Sequence, residues 1–305
     1  MKIALFVALL ALIGGSGVSG TAAPHVRIVS AADAETMLAS ASILDVRERT
    51  SFEAGHIPGS RSIDWRDFTL ERPGAWNALF GDPTRWGKVP PPDQGLQKKL
   101  RTLGLSNARP VLVVGAPRGW GEEGRIAWDL LYWGAQEVAL LDGGFPAWVA
   151  DPHRAIETGP SRRSRKDRPG DFAVRIQPER RIELSALRSD VEQGVRPLLD
   201  ARTPAEFEGE KVQGQKRGGH LPGSHLVPAN SLYHEDGTYV RAEELKKMLA
   251  GRTAGPISYC TGGVRSALLA IVVEARLGIV VANYDGSMWE WAAHPELPLL
   301  PLQKR

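Results

Sequence analysis

Residues 43–47 read Ile43-Leu44-Asp45-Val46-Arg47, and Phe52-Glu53 and Gly55-His56-Ile57-Pro58-Gly59-Ser60 follow. The same phrase returns as Leu198-Leu199-Asp200-Ala201-Arg202, then Phe207-Glu208, then Gly219-His220-Leu221-Pro222-Gly223-Ser224. Further on, Leu141-Asp142-Gly143-Gly144 with Trp148 is answered by Tyr284-Asp285-Gly286-Ser287 with Trp289 and Trp291. The chain is an internal duplication, and 305 residues give each copy the length of a domain with its own core. Asp45 precedes His56 by 11 residues and Asp200 precedes His220 by 20, so the second copy carries about nine extra residues near Gly209–Gly218.

Both copies alternate strands with helices. The runs Ile43–Asp45, Val111–Gly115, Val138–Leu141, Leu198–Asp200 and Ile257–Tyr259 are short, apolar and end in polar residues, glycine or leucine, as buried parallel strands do. Helical spacing fills Arg125–Tyr132, Ala242–Leu249 and Arg265–Leu277, the last stopped by Gly278. The expected fold is α/β: two tandem domains over 24–155 and 181–305, each a parallel sheet with helices on both faces. Residues 156–180 form the expected linker. Its Ser161–Gly170 run is polar, basic and aperiodic, which reads as a solvated connection and not a nucleic-acid segment.

Hydrophobic residues are 42% of the chain and charged residues 24%, an ordinary globular balance. A formal charge of +3 is too balanced to argue for nucleic acid on its own, though it does not repel small anions. One cysteine excludes an intramolecular disulfide framework and a cysteine-rich zinc site. Residues 1–23 show a lysine, an apolar run from Ile3 to Ile13 and then small residues, the form of a secretory signal peptide. The run is short of the roughly 20 residues of a spanning helix, so cleavage between Gly20 and Ala23 is expected over an uncleaved anchor. The mature protein is then expected in a bacterial periplasm, without stable membrane association.

The lone thiol sits in Ile257-Ser258-Tyr259-Cys260-Thr261-Gly262-Gly263-Val264-Arg265-Ser266. A strand runs into Cys260, two glycines follow, and a helix begins at Arg265. Ligands of parallel sheets bind beyond the carboxyl ends of strands. Paired glycines let successive N–H groups turn inward around an anion, and the helix start adds its positive end. An inert buried thiol is the ordinary state of free cysteine, but this convergence points to a reactive thiolate.

These residues carry a resemblance. The duplicated Asp-x-Arg…Gly-His-(Ile/Leu)-Pro-Gly-Ser phrase, the cysteine loop and the Asp-Gly-(Gly/Ser)…Trp ending resemble rhodanese, a tandem-domain sulfurtransferase, over nearly all of 25–300. The resemblance implies that only the second copy is catalytic, and Val113–Trp120 in the first copy has no cysteine. It also implies that Cys260 takes sulfane sulfur from thiosulfate, becomes a persulfide and passes the sulfur to a thiophilic acceptor such as cyanide or a thiol. Partners are then a small anionic donor and such an acceptor, an exported thiol protein among them; no metal or cofactor is expected. Related phosphatases have five residues between cysteine and arginine; here Cys260 and Arg265 enclose four, which fits a single sulfur atom. Mercaptopyruvate sulfurtransferases resemble Cys-Gly-Ser-Gly-Val-Thr here, so the present loop is closer to bacterial thiosulfate sulfurtransferases, as is the insertion at Gly209–Val212. A 3-mercaptopyruvate enzyme and a persulfide carrier with little turnover remain the alternatives.

The expected donor site comprises Thr261, Gly262, Gly263, Val264 and Arg265, with Arg202 added. Some animal-type relatives have an arginine at the position of Glu206, so another cation must hold the donor: Arg265 first, with Arg217 and Lys216 behind it. Arg265 has a competing reading as a helix-start arginine paired with a carboxylate. Arg202 matches Arg47, which makes an Asp/Arg framework role its default. His56 and His220 recur equally in the copy without a cysteine and read as structural. Tryptophans cluster between Trp65 and Trp148, which reads as core and interdomain packing.

Overall fold

The computed structural model describes residues 25–71, 81–161, 169–212 and 214–301. The expected signal peptide and the Arg162–Arg168 part of the basic linker lie outside the described residues.

Each copy builds a parallel sheet. The first contains β1 (His25–Val29), β2 (Ser42–Asp45), β3 (Arg61–Ser62), β4 (Val111–Val114) and β5 (Glu137–Leu141), in the order β1-β5-β4-β2-β3. The second contains β6 (Leu198–Asp200), β7 (Ser224–Leu226), β8 (Ile257–Tyr259) and β9 (Ala282–Asn283), in the order β7-β6-β8-β9. The duplication holds to the residue: Asp45 pairs with Val114 and Asp200 with Tyr259. A counterpart of β1 is reduced in the second copy to the Arg181–Asn283 bridge, where the Ile182 N–H donates to the Asn283 carbonyl at 3.2 Å. The central strand β4 is buried along its whole length, which is why it reads as an unbroken Val-Leu-Val-Val run.

The helix Arg265–Leu277 stops as expected at Gly278, whose φ is +68° and whose N–H donates to the Glu274 carbonyl at 2.8 Å. Residues Arg265–Val273 are all buried, because this helix lies between its own sheet and the helix Glu122–Tyr132 of the first copy. The latter begins three residues before the expected Arg125, with the acidic residues Glu122 and Glu123 in its first turn. Gly124 allows the contact: a Cβ there would lie 2.3 Å from the Leu268 Cα. One apolar core consequently runs through both sheets, with Val113 and Trp128 from the first copy and Leu199 and Leu268 from the second. Sandwiching these helices brings the loops beyond the carboxyl ends of β4 and β8 to the same cleft.

Candidate active site

Cys260 follows the last residue of β8 and is 1% exposed. Its own N–H donates to Ser287 Oγ at 3.0 Å, and its carbonyl accepts the Met288 N–H at 3.1 Å, so the backbone is fixed from the helix Ser287–Trp291. The Gly263 N–H donates to the Cys260 sulfur at 3.1 Å, and Ser266 Oγ lies 3.5 Å from it. The glycines are required by this shape. Gly263 has φ +80° and a Cβ there would lie 2.6 Å from the Asp285 carbonyl oxygen; a Cβ on Gly262 would lie 2.1 Å from the Trp289 ring. Burial pushes the Cys260 thiol up. The Arg265 guanidinium, the Ser266 hydroxyl and the N–H groups of Ser266 and Gly262 outweigh it and hold the thiol below its ordinary value. The buried sulfur thus faces groups that favour its thiolate form.

Arg265 lines the cleft and is at the same time held by Glu206. Its Nη1 donates to Glu206 Oε2 and its Nη2 to Glu206 Oε1, each at 2.7 Å, and Nη2 also reaches Thr261 Oγ1 at 2.7 Å. Thr261 Oγ1 donates to Glu206 Oε1 at 2.8 Å. Glu206 is itself placed by a capping box with Thr203 at the start of the short helix Pro204–Phe207. Burial would raise the Glu206 carboxyl, but the Arg265 pair and the Thr203 and Thr261 bonds bring it down to about 2. Carboxylate and guanidinium neutralise one another beside the sulfur.

The cleft over Cys260 has a volume of about 380 Å³. Thr261, Gly262, Val264 and Arg265 line it from the second copy, with Trp289 and Val212, the latter from the inserted residues. The opposite wall is Trp65, Arg66, Trp120 and Glu122 of the first copy. Trp120 is 65% exposed, its ring centroid 5.4 Å from the Arg265 guanidinium carbon. An adjoining cavity of about 340 Å³ shares Trp120 and Arg265 with the cleft and adds Arg118 and Asn230. The sequence reading missed the whole first-copy wall. Packing does account for Trp86, Trp128, Trp133, Trp148 and Trp291, which are fully buried, but Trp65, Trp120 and Trp289 face the sulfur's cleft. The usable signal was the duplication: the first copy's loop at Ala116–Gly121 is the counterpart of the cysteine loop.

Arg202 lines the adjoining cavity and not the cleft over Cys260, and every arm of its guanidinium is engaged in the framework. It is 0% exposed, with Nε 2.9 Å from Asp200 Oδ1, Nη2 2.6 Å from Asp200 Oδ2 and 2.9 Å from the Gly219 carbonyl, and Nη1 3.3 Å from the Glu206 carbonyl. Arg47 repeats this on Asp45 and the Gly55 carbonyl. Arg217 does not line the cleft; it donates to the Trp291, Ala292, His294 and Leu297 carbonyls and pins the C-terminal segment. Lys216 is exposed and is not among the residues lining the cleft. The histidines match each other: His56 Nδ1 is 2.9 Å from the Phe52 carbonyl and its ring stacks on Phe52, while His220 Nδ1 is 2.9 Å from the Phe207 carbonyl and stacks on Phe207.

Gly115 holds the place of Cys260 in the first copy. Each follows the central strand, and the Gly115 carbonyl accepts the Phe145 N–H at 3.1 Å as the Cys260 carbonyl accepts that of Met288. The space for a side chain there is filled: a Cβ on Gly115 would lie 2.7 Å from Glu123 Oε2. The buried Glu123 accepts hydroxyl bonds from Tyr233 and Tyr239 of the second copy, and burial raises its carboxyl above the ordinary range. No cluster of side chains fit to hold a metal ion occurs among the described residues.

Comparison with known proteins agrees with this duplication. The family described as "Rhodanese-like domain" matches residues 30–151 and again 183–294. The chain is 30% identical over 268 residues to the "Sulfur carrier protein TtuD" of Thermus thermophilus, covering 81% of this chain and 86% of that one. It is 31% identical over 273 residues to a "Putative thiosulfate sulfurtransferase" of Mycolicibacterium smegmatis, covering 84% and 90%. Its fold is similar to the crystal structure of SseA from Escherichia coli, described with the 3-mercaptopyruvate sulfotransferases, at TM-score 0.69 and 22% identity over 86% of this chain and 98% of that one.

Proposed function

The chain belongs to the rhodanese-like family and carries its domain twice, a sulfurtransferase family, and from that premise we propose that it moves sulfane sulfur from thiosulfate through a persulfide on Cys260. The observation that carries the proposal is a buried thiol held below its ordinary pKa, with the Gly263 N–H 3.1 Å from its sulfur, at the floor of an accessible cleft.

The Cys260 thiolate attacks the outer sulfur of thiosulfate. A new S–S bond forms to Cys260, the S–S bond of thiosulfate breaks, and sulfite leaves with its electron pair. Acceptor attack on the outer sulfur of the persulfide then returns the thiolate. Both sulfur species are anionic, so preset N–H donors lower the barrier without reorganising. Arg265 is paired with Glu206 and Arg66, on the opposite wall, with Asp64 at 3.3 Å, so two partly compensated cations border the path of an incoming sulfonate.

Intact mass before and after thiosulfate tests this. A gain of about 32 Da, one sulfur atom, that is absent in Cys260→Ser and removed by cyanide is the expected result. No gain with thiosulfate but a gain with 3-mercaptopyruvate would move the donor to the latter. A stable adduct with negligible cyanide turnover would favour a carrier, the role named for the Thermus thermophilus relative. Export is a further part of the proposal, supported by residues 1–23; among the described residues no helix is long and apolar enough to cross a membrane. N-terminal sequencing of protein from the producing cell should begin between Thr21 and Pro24, and a chain that begins at Met1 would refute cleavage.

A further inference from the structure

We propose that Arg125, in the copy without a cysteine, is a positioning residue for the sulfur site: it anchors the Gly263 carbonyl so that the Gly263 N–H stays aimed at Cys260. The inference rests on Cys260 as the sulfur-bearing residue.

A loop of two adjacent glycines can turn its peptides over at little cost; turning the Gly262–Gly263 peptide would withdraw the Gly263 N–H from the sulfur, and a turn of the next peptide would carry Gly263 with it. Both peptides are braced from the first copy. The peptide joining Gly262 to Gly263 presents its N–H to the sulfur at 3.1 Å, while its carbonyl lies so close to Gly87 that a Cβ on Gly87 would be 2.2 Å from that oxygen. The next peptide has its carbonyl, on Gly263, held by Arg125 Nη1 at 3.4 Å and by Asn283 Nδ2 at 3.3 Å. The neighbouring Asp285, whose carbonyl packs on Gly263, accepts the Val89 N–H at 2.8 Å, again from the first copy.

Arg125 is 0% exposed, in the middle of the contact between the two domains. Its Nε donates to Asp129 Oδ1 at 2.9 Å, and its guanidinium carbon lies 5.4 Å from the Trp128 ring and 5.8 Å from that of Trp65. Arg125 Nη2 and Asp129 Oδ2 have no hydrogen-bond partner among the described residues. A buried ion pair left incompletely bonded is a poor stabiliser, and apolar residues of similar size commonly do better. What an apolar pair cannot supply at this place is a donor to the Gly263 carbonyl.

The test uses the full chain, where alkylation with iodoacetamide reads Cys260 alone because no other thiol is present. The double variant Arg125→Met/Asp129→Leu removes both charges together and so avoids stranding one of them. Its alkylation midpoint should rise by about one pH unit, a tenfold loss of thiolate below the midpoint. Persulfide formation should slow about tenfold with the donor KM within about twofold. Arg125→Lys, which still offers a donor to the carbonyl, should recover most of the loss. A role in packing alone would lower Tm and leave the midpoint where it is in the unsubstituted chain, which would overturn the proposal. Should the double variant not fold, Arg125→Gln is too short to reach the carbonyl and gives the same two readings. If the unsubstituted chain takes no sulfur from any donor, the sulfurtransfer reading fails while the alkylation midpoint still decides the role of Arg125.

Discussion

Glu206→Gln tests the pair that sets the electrostatics beside the sulfur. The Glu206 carboxyl titrates near 2 in the fold against an ordinary 4.5, and it is 3% exposed. Each tenfold in proton affinity corresponds to about 1.36 kcal/mol, so the charged carboxylate contributes about 3 kcal/mol at neutral pH. The folded value is depressed, so this contribution is complete above about pH 5 and is lost as pH falls toward 2, with more than half gone by pH 3. Urea unfolding of both proteins across pH 3 to 7 measures it: the variant should be about 3 kcal/mol less stable at pH 7, and the gap should close as pH falls. The variant also leaves Arg265 uncompensated, so the Cys260 alkylation midpoint should drop further. A gap that is absent at pH 7, or that does not change with pH, would refute the assignment of this stability to the Glu206–Arg265 pair.

Burial, only partly offset by Arg125, lifts the Asp129 carboxyl to about 7, above its ordinary 3.8. The fold therefore favours the protonated acid, and stability is lost as pH rises from about 4 through 7. Asp129→Asn should gain on the unsubstituted chain over that range in thermal unfolding, and a constant difference would count against it. Ser266→Ala removes the hydroxyl 3.5 Å from the sulfur and should raise the alkylation midpoint, slowing alkylation several-fold at pH 7; an unchanged rate would show that the backbone N–H groups suffice. Gly262→Ala places a methyl 2.1 Å from the Trp289 ring, so it should cost about 1–3 kcal/mol in unfolding measurements. It should also slow persulfide formation at least tenfold, and full activity with unchanged stability would mean that the ring yields freely.

The interior of the fold was legible because its signals are local. Ile257–Tyr259 and Leu198–Asp200 are strands as read, and Ala242–Leu249 and Arg265–Leu277 are helices with the expected ends. The strands that were missed are the edge strands β1, β3, β7 and β9, three of them only two or three residues long, too short to carry a period. Cys260 and its glycines were legible for the same local reason. The partners that define the cleft were not: Glu206 lies 59 residues from Arg265, and Arg125 lies 138 residues from Gly263. Nothing in the spacing around Trp120 distinguishes a cleft wall from a packing residue. Only the stacking of two buried helices decides that, and Gly124 and Leu268 show it in the structure without announcing it in the sequence.

The carboxyl group that fills the place of the sulfur in the first copy makes the division of labour hard to reverse. A cysteine restored at Gly115 would meet Glu123, and Glu123 could leave only by abandoning Tyr233 and Tyr239 across the domain boundary. A side chain at Gly115 would therefore require Glu123 and its two tyrosine partners to move together. Such contacts tie the two copies together, so that substitutions in the half without a cysteine are constrained by the packing of the other.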